Sequence, residues 1–288
     1  MNRISLGEYK GGRQIFAKHP VPARPDSGKM YLSAFRSSDI PFLPLQIRSI
    51  ASNLQTMWRR AATARLKSLW RQFPAALIVG ARQVGKTTLA RQAFPRLPYC
   101  DLEEPRTRQL FTADPTFQIE SRTARGLILD EAQCVPEIFA SLRSLIDRRR
   151  KQNGRFLILG SAQPSLLRQV SETLAGRVGF LELDPLTAHE ARSGTPRRSW
   201  RDVWLHGGFP DALRGSFRDW WESYLRTYVE RDLPQLGVAA DPLLLRRLLT
   251  MLAHSQGWLL NASQLGQSLS ASYHTIQLYL DILEQTFL

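Results

Sequence analysis

The sequence is poor in cysteine and histidine, and each shortage removes a class of protein. Two cysteines, Cys100 and Cys134, in 288 residues cannot build a disulfide framework or a four-cysteine zinc site. The five histidines are scattered without the spacing of a metal centre. No uncharged apolar run approaches the roughly 18 residues that a membrane-spanning helix needs, and the first residues lack the layout of a secretory signal. A reducing cytoplasm with no membrane partner is the expected setting. A hydrophobic content of 43% against 22% charged leaves ample material for one large or two modest globular domains.

Positive charge is abundant but unevenly placed. Residues 1–73 hold 13 Lys and Arg against Glu8, Asp26 and Asp39, whereas residues 74–288 hold 26 against 22 acids. The first quarter also carries Pro20, Pro22, Pro25, Pro41, Pro44 and the Gly11-Gly12 pair, with no sustained apolar period before about Ile50. Residues 1–56 therefore read as a basic, weakly ordered arm. Its charge suits a nucleic-acid or anionic-surface tether, its Arg-rich composition a transit peptide, and Met57 a true start ahead of a misassigned leader. The favoured expectation is the start at Met57, because Trp58–Trp70 reads as a short amphipathic helix leading directly into the next apolar run.

That run, Ala75–Gly80, has the length and composition of a strand buried on both faces, and Thr88–Ala93 reads as the following helix. Between them Gly80, Ala81, Arg82, Gln83, Val84, Gly85, Lys86, Thr87 and Thr88 satisfy G-x-x-x-x-G-K-[ST] in the strand–loop–helix context that this motif requires. Glycines at 80 and 85 permit a path that turns successive N–H groups onto a phosphate chain, reinforced by the helix N-terminus. Lys86, the sole lysine between positions 68 and 150, is expected to reach the β- and γ-phosphates, and Thr87 to place its hydroxyl on Mg²⁺. Without a ligand, the same residues would be only a Gly-rich turn.

Gly126–Glu131 is a second apolar run, ending in two carboxylates. Downstream of a phosphate loop this is the expected Walker B: Asp130 holds Mg²⁺ through water and Glu131 polarises the attacking water, which favours hydrolysis over phosphotransfer. A third run, Arg155–Gly160, ends at Ser161, which either senses the γ-phosphate or merely opens the next turn. Arg177, before the strand-like Val178–Leu183, either stabilises transition-state charge on a nucleotide in a neighbouring subunit or is an ordinary surface arginine.

With these elements in this order the chain resembles the AAA-type P-loop ATPases. More narrowly, Ala81–Thr88, Leu129-Asp-Glu-Ala-Gln133 with Val135-Pro-Glu137, Gly160-Ser161, Ala175-Gly-Arg177 and Tyr228-Val-Glu-Arg-Asp-Leu233 look like a widespread bacterial and archaeal ATPase family. The resemblance covers roughly residues 58–288. It implies the sheet order 5-1-4-3-2, adenine preference, a helical lid, a winged-helix region and a further C-terminal domain that can look like a degenerate nuclease fold. This sequence ends at Phe287-Leu288, inside what reads as the last winged helix, so its C-terminus is expected to be truncated.

Independently of the resemblance, five apolar runs at 75–80, 97–102, 126–130, 155–160 and 179–183 alternate with helical stretches. That alternation argues for an α/β fold: a parallel sheet covered by helices on both faces. The expected organisation is a basic arm over 1–56, an ATPase core over 57–195, a helical lid over 196–240 and a partial winged-helix region over 241–288. Residues 260–283 have the look of a helix-turn-helix, yet 257–288 contain no Lys or Arg. Phosphate neutralisation is missing there, so packing or oligomer contact is favoured over DNA reading. His206 reads as a turn residue, and Arg231 as either a nucleotide sensor or part of a local ion-pair network. The expectation is thus an ATP- and Mg²⁺-dependent ATPase, acting within a homo-oligomer on an unknown protein partner. The alternative is a nucleotide-gated DNA-binding or regulatory module without significant turnover.

Overall fold

The computed structural model describes residues 58–286 apart from 124, 162–163, 195–196 and 236–240. The basic arm, Met57 and Phe287-Leu288 lie outside the described residues, which all fall in one unit, Leu54–Leu288. Five parallel strands form the sheet: β1 (Ala75–Val79), β2 (Tyr99–Asp101), β3 (Leu127–Asp130), β4 (Phe156–Leu159) and β5 (Val178–Glu182). Their order is β2-β3-β4-β1-β5, which reads 5-1-4-3-2 from the opposite edge. Ala75 pairs with Phe156 on one side and Val178 on the other, so β1 is flanked on both sides and its C-terminal end opens at the middle of the sheet edge. Strand β2 is shorter than the apolar run 97–102 because Pro98 has no N–H to give to a ladder.

Side chains alternate across the pleat. Ala75, Leu77 and Val79 join one buried cluster, filled from outside by Phe111 of α3 (Pro105–Ala113), Ile119 of α4 (Pro115–Glu120) and Leu142 and Ile146 of α5 (Ile138–Arg148). Ala76 and Ile78 face the opposite cluster, closed by Leu66 and Leu69 of α1 (Ala62–Gln72) and Leu89 and Ala90 of α2 (Lys86–Ala93). Burying each Leu or Ile contributes about 1.5–3 kcal/mol, and a sheet covered on both faces can carry uninterrupted apolar strands. Helix α6 (Pro164–Thr173) completes the first layer with Leu166 and Val170.

The chain ahead of α1 is tied to the first turn of the helix that follows β5. Thr187 and Glu190 form a capping box at the start of α7 (Ala188–Ser193). Glu190 then accepts from Ala61 N (2.7 Å) and from Arg60 Nε (3.3 Å). Both side chains are almost wholly buried, at 6% and 7% exposure. Burial alone would raise the Glu190 carboxyl, but the N–H groups of Thr187 and Ala61 and the Arg60 guanidinium outweigh it and hold the carboxyl below its ordinary value.

Helices continue after the sheet as α8 (Trp200–His206), α9 (Pro210–Arg214) and α10 (Phe217–Thr227). Helix α10 passes through a π-helical turn, Tyr228–Asp232, into Leu233–Gln235. Three more helices, α11 (Pro242–His254), α12 (Ala262–Leu269) and α13 (Tyr273–Gln285), close around a separate core that includes Leu248, Leu265 and Ile276. Helices α12 and α13 meet through Ser270, at φ +54°, with Ala271 N donating to Gly266 O (2.9 Å). Among the described residues no strand follows β5, and no helix is long and apolar enough to cross a membrane.

Glu190→Gln removes one partner of a buried ion pair and is expected to lower unfolding free energy by roughly 3 kcal/mol at pH 7. Because the folded carboxyl titrates below its unfolded value, the stabilisation is complete above the ordinary carboxylate range and is lost as pH falls through the folded value. Urea unfolding of wild type and variant at pH 7 and near pH 4 should therefore show the gap narrowing on acidification; a constant gap would contradict the assignment.

Candidate nucleotide-binding site

The loop after β1 takes a path that only small or strained residues allow. Gly80 (φ +156°) runs so close to Leu183 O that a Cβ would collide with it, and Gly85 (φ +98°) turns the chain into α2. Gln83 also sits at positive φ (+61°), a sparsely populated region for a residue with a side chain. Ala81 and Val84 point down into the apolar cluster beneath the sheet. Lys86 is 6% exposed, and its ammonium donates to Gly80 O and Ala81 O, both at 2.9 Å. Burial pulls that ammonium below its ordinary value; Glu131, Asp130 and Asp232 push it back up, while Arg82 adds repulsion.

Asp130, the last residue of β3, is 3% exposed. Its Oδ2 accepts from Thr87 Oγ1 (2.6 Å) and Tyr99 OH (2.9 Å), and its Oδ1 from Glu131 N (3.0 Å). One carboxylate therefore joins the start of α2, strand β2 and strand β3. Burial, followed by the Asp130 charge, pushes the Tyr99 hydroxyl far above its ordinary range, so it remains a donor. The hydroxyl of Thr87 and the Asp130 carboxylate form a hard-oxygen pair of the kind that Mg²⁺ accepts when phosphates and water complete its shell. No group of three or more His, Cys, Asp or Glu among the described residues could hold a metal without such help.

Glu131 occupies the left-handed region (φ +51°, ψ +48°), a conformation that costs about 1–3 kcal/mol and aims its carboxylate differently from that of Asp130. Gln133 Nε2 donates to both Glu131 Oε2 and Ser161 Oγ, the latter at 3.0 Å. A carboxylate can only accept, so the amide nitrogen must face it. Gln133 Oε1 is then left buried without a partner, a costly arrangement inside a protein. Gly160 makes room for it, since a Cβ there would lie 2.9 Å from Gln133 Oε1. Ser161 thus belongs to the same hydrogen-bonded group as Glu131 and keeps its own O–H to donate.

Arg177 lies elsewhere. Its carbonyl accepts from Ala75 N (3.2 Å), at the opposite ends of the strands from the loop, and its guanidinium grips Asp147 with bonds of 2.8 and 2.9 Å. The structure therefore does not bring Arg177 to the phosphate loop of its own chain. Arg82 and Gln83 are held by the helices that follow the sheet: Arg82 pairs with Asp232 of the π-helical turn, and Gln83 Oε1 accepts from Trp220 Nε1 (2.9 Å). Arg231 pairs with Glu103, in keeping with the ion-pair alternative. Burial raises the Asp232 carboxyl even though Arg82 opposes it.

A cleft of about 870 Å³, solvent mouth included, runs from Lys86, Thr87, Thr88 and Glu131 to Trp58, Leu186 and Pro210. Loop and helix terminus line one end; at the other, Trp58 and Leu186 are almost wholly buried and the Arg214 guanidinium lies over the Trp58 ring. Arg60, 7% exposed, stands between them and donates to Val84 O (2.9 Å), to Asp184 O and to Glu190. Arg60, Tyr99 and Trp220 are the members of this region that motif reading passed over. Gln133 and Asp232 fell within stretches that carry the family resemblance, without a role being assigned to either side chain.

The sheet order and the loop geometry are those of a P-loop fold. Residues 72–192 match the AAA domain family, and residues 197–288 match a domain of unknown function (DUF8612). Over 234 residues it is 42% identical to the uncharacterized proteins Mb2031c of Mycobacterium bovis and Rv2008c of Mycobacterium tuberculosis. The alignments cover 78% of this chain and 51% of each relative, so the chain spans about half the length of the curated relatives it matches. Among solved structures, the Walker-type ATPase PABY2304 of Pyrococcus abyssi superposes with a TM-score of 0.52 at 15% identity, over 80% of this chain and 90% of that one. That likeness concerns the fold alone.

Asp232 lies near enough to Lys86 to act on its charge, and a polyphosphate at the loop would meet the same carboxylate. Asp232→Asn is expected to tighten binding of a fluorescent ATP analogue several-fold, roughly 1 kcal/mol for a like charge at this range in a partly solvated site. Weaker binding in a titration of the folded variant would mean that Asp232 serves the site by positioning Arg82.

Proposed function

We propose that this chain binds ATP with Mg²⁺ and hydrolyses it, and that turnover moves the helical module against the sheet. The observation that carries this reading is the buried Lys86 ammonium, satisfied by carbonyls of its own loop beside the Thr87–Asp130 pair. An ammonium on those carbonyls can be drawn to phosphate oxygens, while the loop N–H groups and the first turn of α2 supply further donors. The residues proposed to surround the phosphates are Gly80 to Thr88. Thr87 and Asp130 would hold Mg²⁺, which supplies charge neutralisation for the transferred phosphoryl group when bound.

Glu131 is the general base in this mechanism. Its carboxylate takes a proton from the attacking water, and Gln133 and Ser161 orient it. Ser161 donates to the γ-phosphate or to that water and so reports its presence. The cleft continues from the loop past Pro210 and Arg214, which leaves room for the nucleoside. Coupling is supported by the contacts of Arg82 with Asp232 and of Gln83 with Trp220, because any shift of the loop toward phosphate works against both. In this reading 57–195 is the ATPase core, 196–240 the lid and 241–288 a partial winged-helix region. Arg177 would act in trans within a homo-oligomer, after leaving Asp147. Two free thiols suit a cytoplasmic setting, and the target of the motion is an unknown protein partner.

A second reading, in which ATP occupancy rather than turnover is the signal, draws on the Gln133–Glu131 hydrogen bond: a base held by an amide is not free to reach water. One pair of measurements separates the two. Phosphate release by wild type with Mg²⁺ should depend on Lys86, and Glu131→Gln should keep nucleotide binding while losing at least about 100-fold in turnover. Wild-type turnover retained in Glu131→Gln would sink the general-base assignment; binding without turnover in the wild type would favour the occupancy switch.

A further inference from the structure

Away from the nucleotide cleft, the connection from α7 into α8 concentrates cations and indoles on one face. Arg192, Arg197, Arg198 and Trp200 line an open hollow, and Arg201 lies over the Trp200 ring, its guanidinium carbon 5.4 Å from the centroid. Trp200 and Trp204 are 56% and 76% exposed, with ring centroids 6.5 Å apart. Such large apolar faces cost free energy in water unless something covers them. Among the described residues no carboxylate forms an ion pair with any of these four arginines. Asp202, the acid on the same helix, accepts from Ser199 N (2.6 Å) as part of a capping box, with Arg198 acting on it only at longer range. Arg198 Nε is buried and has no acceptor. Arg198 and the start of α8 are held in place: Arg198 N donates to Ala191 O (3.1 Å), and the Ser199 cap starts α8.

We propose that Arg192, Arg197, Arg198 and Arg201, with Trp200 and Trp204, form a binding surface for single-stranded nucleic acid. Guanidinium groups without carboxylate partners meet phosphates, and exposed indoles offer stacking faces that any unpaired base can use. A duplex would present only base edges and phosphates and would leave the indoles uncovered. An acidic peptide would answer the charge but has no flat ring to match them. This surface uses none of the residues proposed for ATP, so it stands or falls independently of turnover.

The test uses the full chain and a fluorescent 20-nucleotide oligodeoxythymidylate, with anisotropy followed over a salt series. Wild type should bind with a steep salt dependence. Arg197→Glu with Arg198→Glu should weaken binding at least about tenfold and flatten the log–log salt slope by about 1.4, some 0.7 for each phosphate that is no longer neutralised. Trp204→Ala should weaken it several-fold without changing the slope, and Trp204→Tyr should restore most of the affinity. Unchanged binding of a fluorescent ATP analogue confirms that each variant is folded. The proposal is overturned if wild type does not bind, if both variants bind like wild type, or if polyglutamate competes as well as unlabelled oligonucleotide. Dissociation of an oligomer by Trp204→Ala with unchanged oligonucleotide binding would likewise overturn it, assigning the indoles to contact between copies.

Discussion

Lys86 carries a charge in a place with almost no water, and the surrounding structure answers that constraint. An isolated ammonium removed from solvent would lose its proton or unfold its neighbourhood, so it must find acceptors and opposing charge. Two loop carbonyls supply the acceptors, which requires the chain to double back over Gly80 and Gly85 at positive φ. Opposing charge comes from Glu131 and Asp130 at the end of β3 and from Asp232, more than a hundred residues downstream. A single buried cation therefore links the strand ends to the helices that follow the sheet. The loop, the acidic pair and the π-helical turn are parts of one electrostatic unit.

Much of the sheet was legible because its strands are short runs buried on both faces, which leave a continuous apolar signature from Ala75 to Val79 and from Leu127 to Leu129. The phosphate loop was legible for a different reason: positive φ at positions 80 and 85 demands glycine, and the spacing between them follows from the size of a phosphate. Tyr99 and Arg60 left no such trace. Tyr99 sits in a three-residue edge strand where an aromatic is ordinary, and its hydroxyl matters only because β2 lies beside β3 in space. Arg60 was one arginine among 33, in a stretch whose amphipathic period spoke only of a helix. Its bonds to Val84, Asp184 and Glu190 join segments between 24 and 130 residues apart, and no local pattern encodes such distances.

Positions 82 and 83 teach the opposite lesson. In the motif they are spacers, where almost any residue permits the loop to form, so the motif alone does not say whether their side chains touch phosphate or a partner. Here both line the cleft beside Lys86, and their side chains are also caught by α10 and its extension. The freedom that the motif leaves at these positions is what allows a given chain to use them for contact with its own second module. The π-helical turn has a physical role in that contact. One widened turn between Tyr228 and Asp232 changes the facing of the residues beyond it, and Asp232, at its end, meets Arg82 while Arg231 turns to Glu103. An unbroken α-helix through the same residues would advance about 100° per residue without that offset and would present a different pair to the loop. Contact between the loop and the helices after the sheet thus rests on Arg82 and Gln83, and its Arg82 half is placed by a local departure from regular helix.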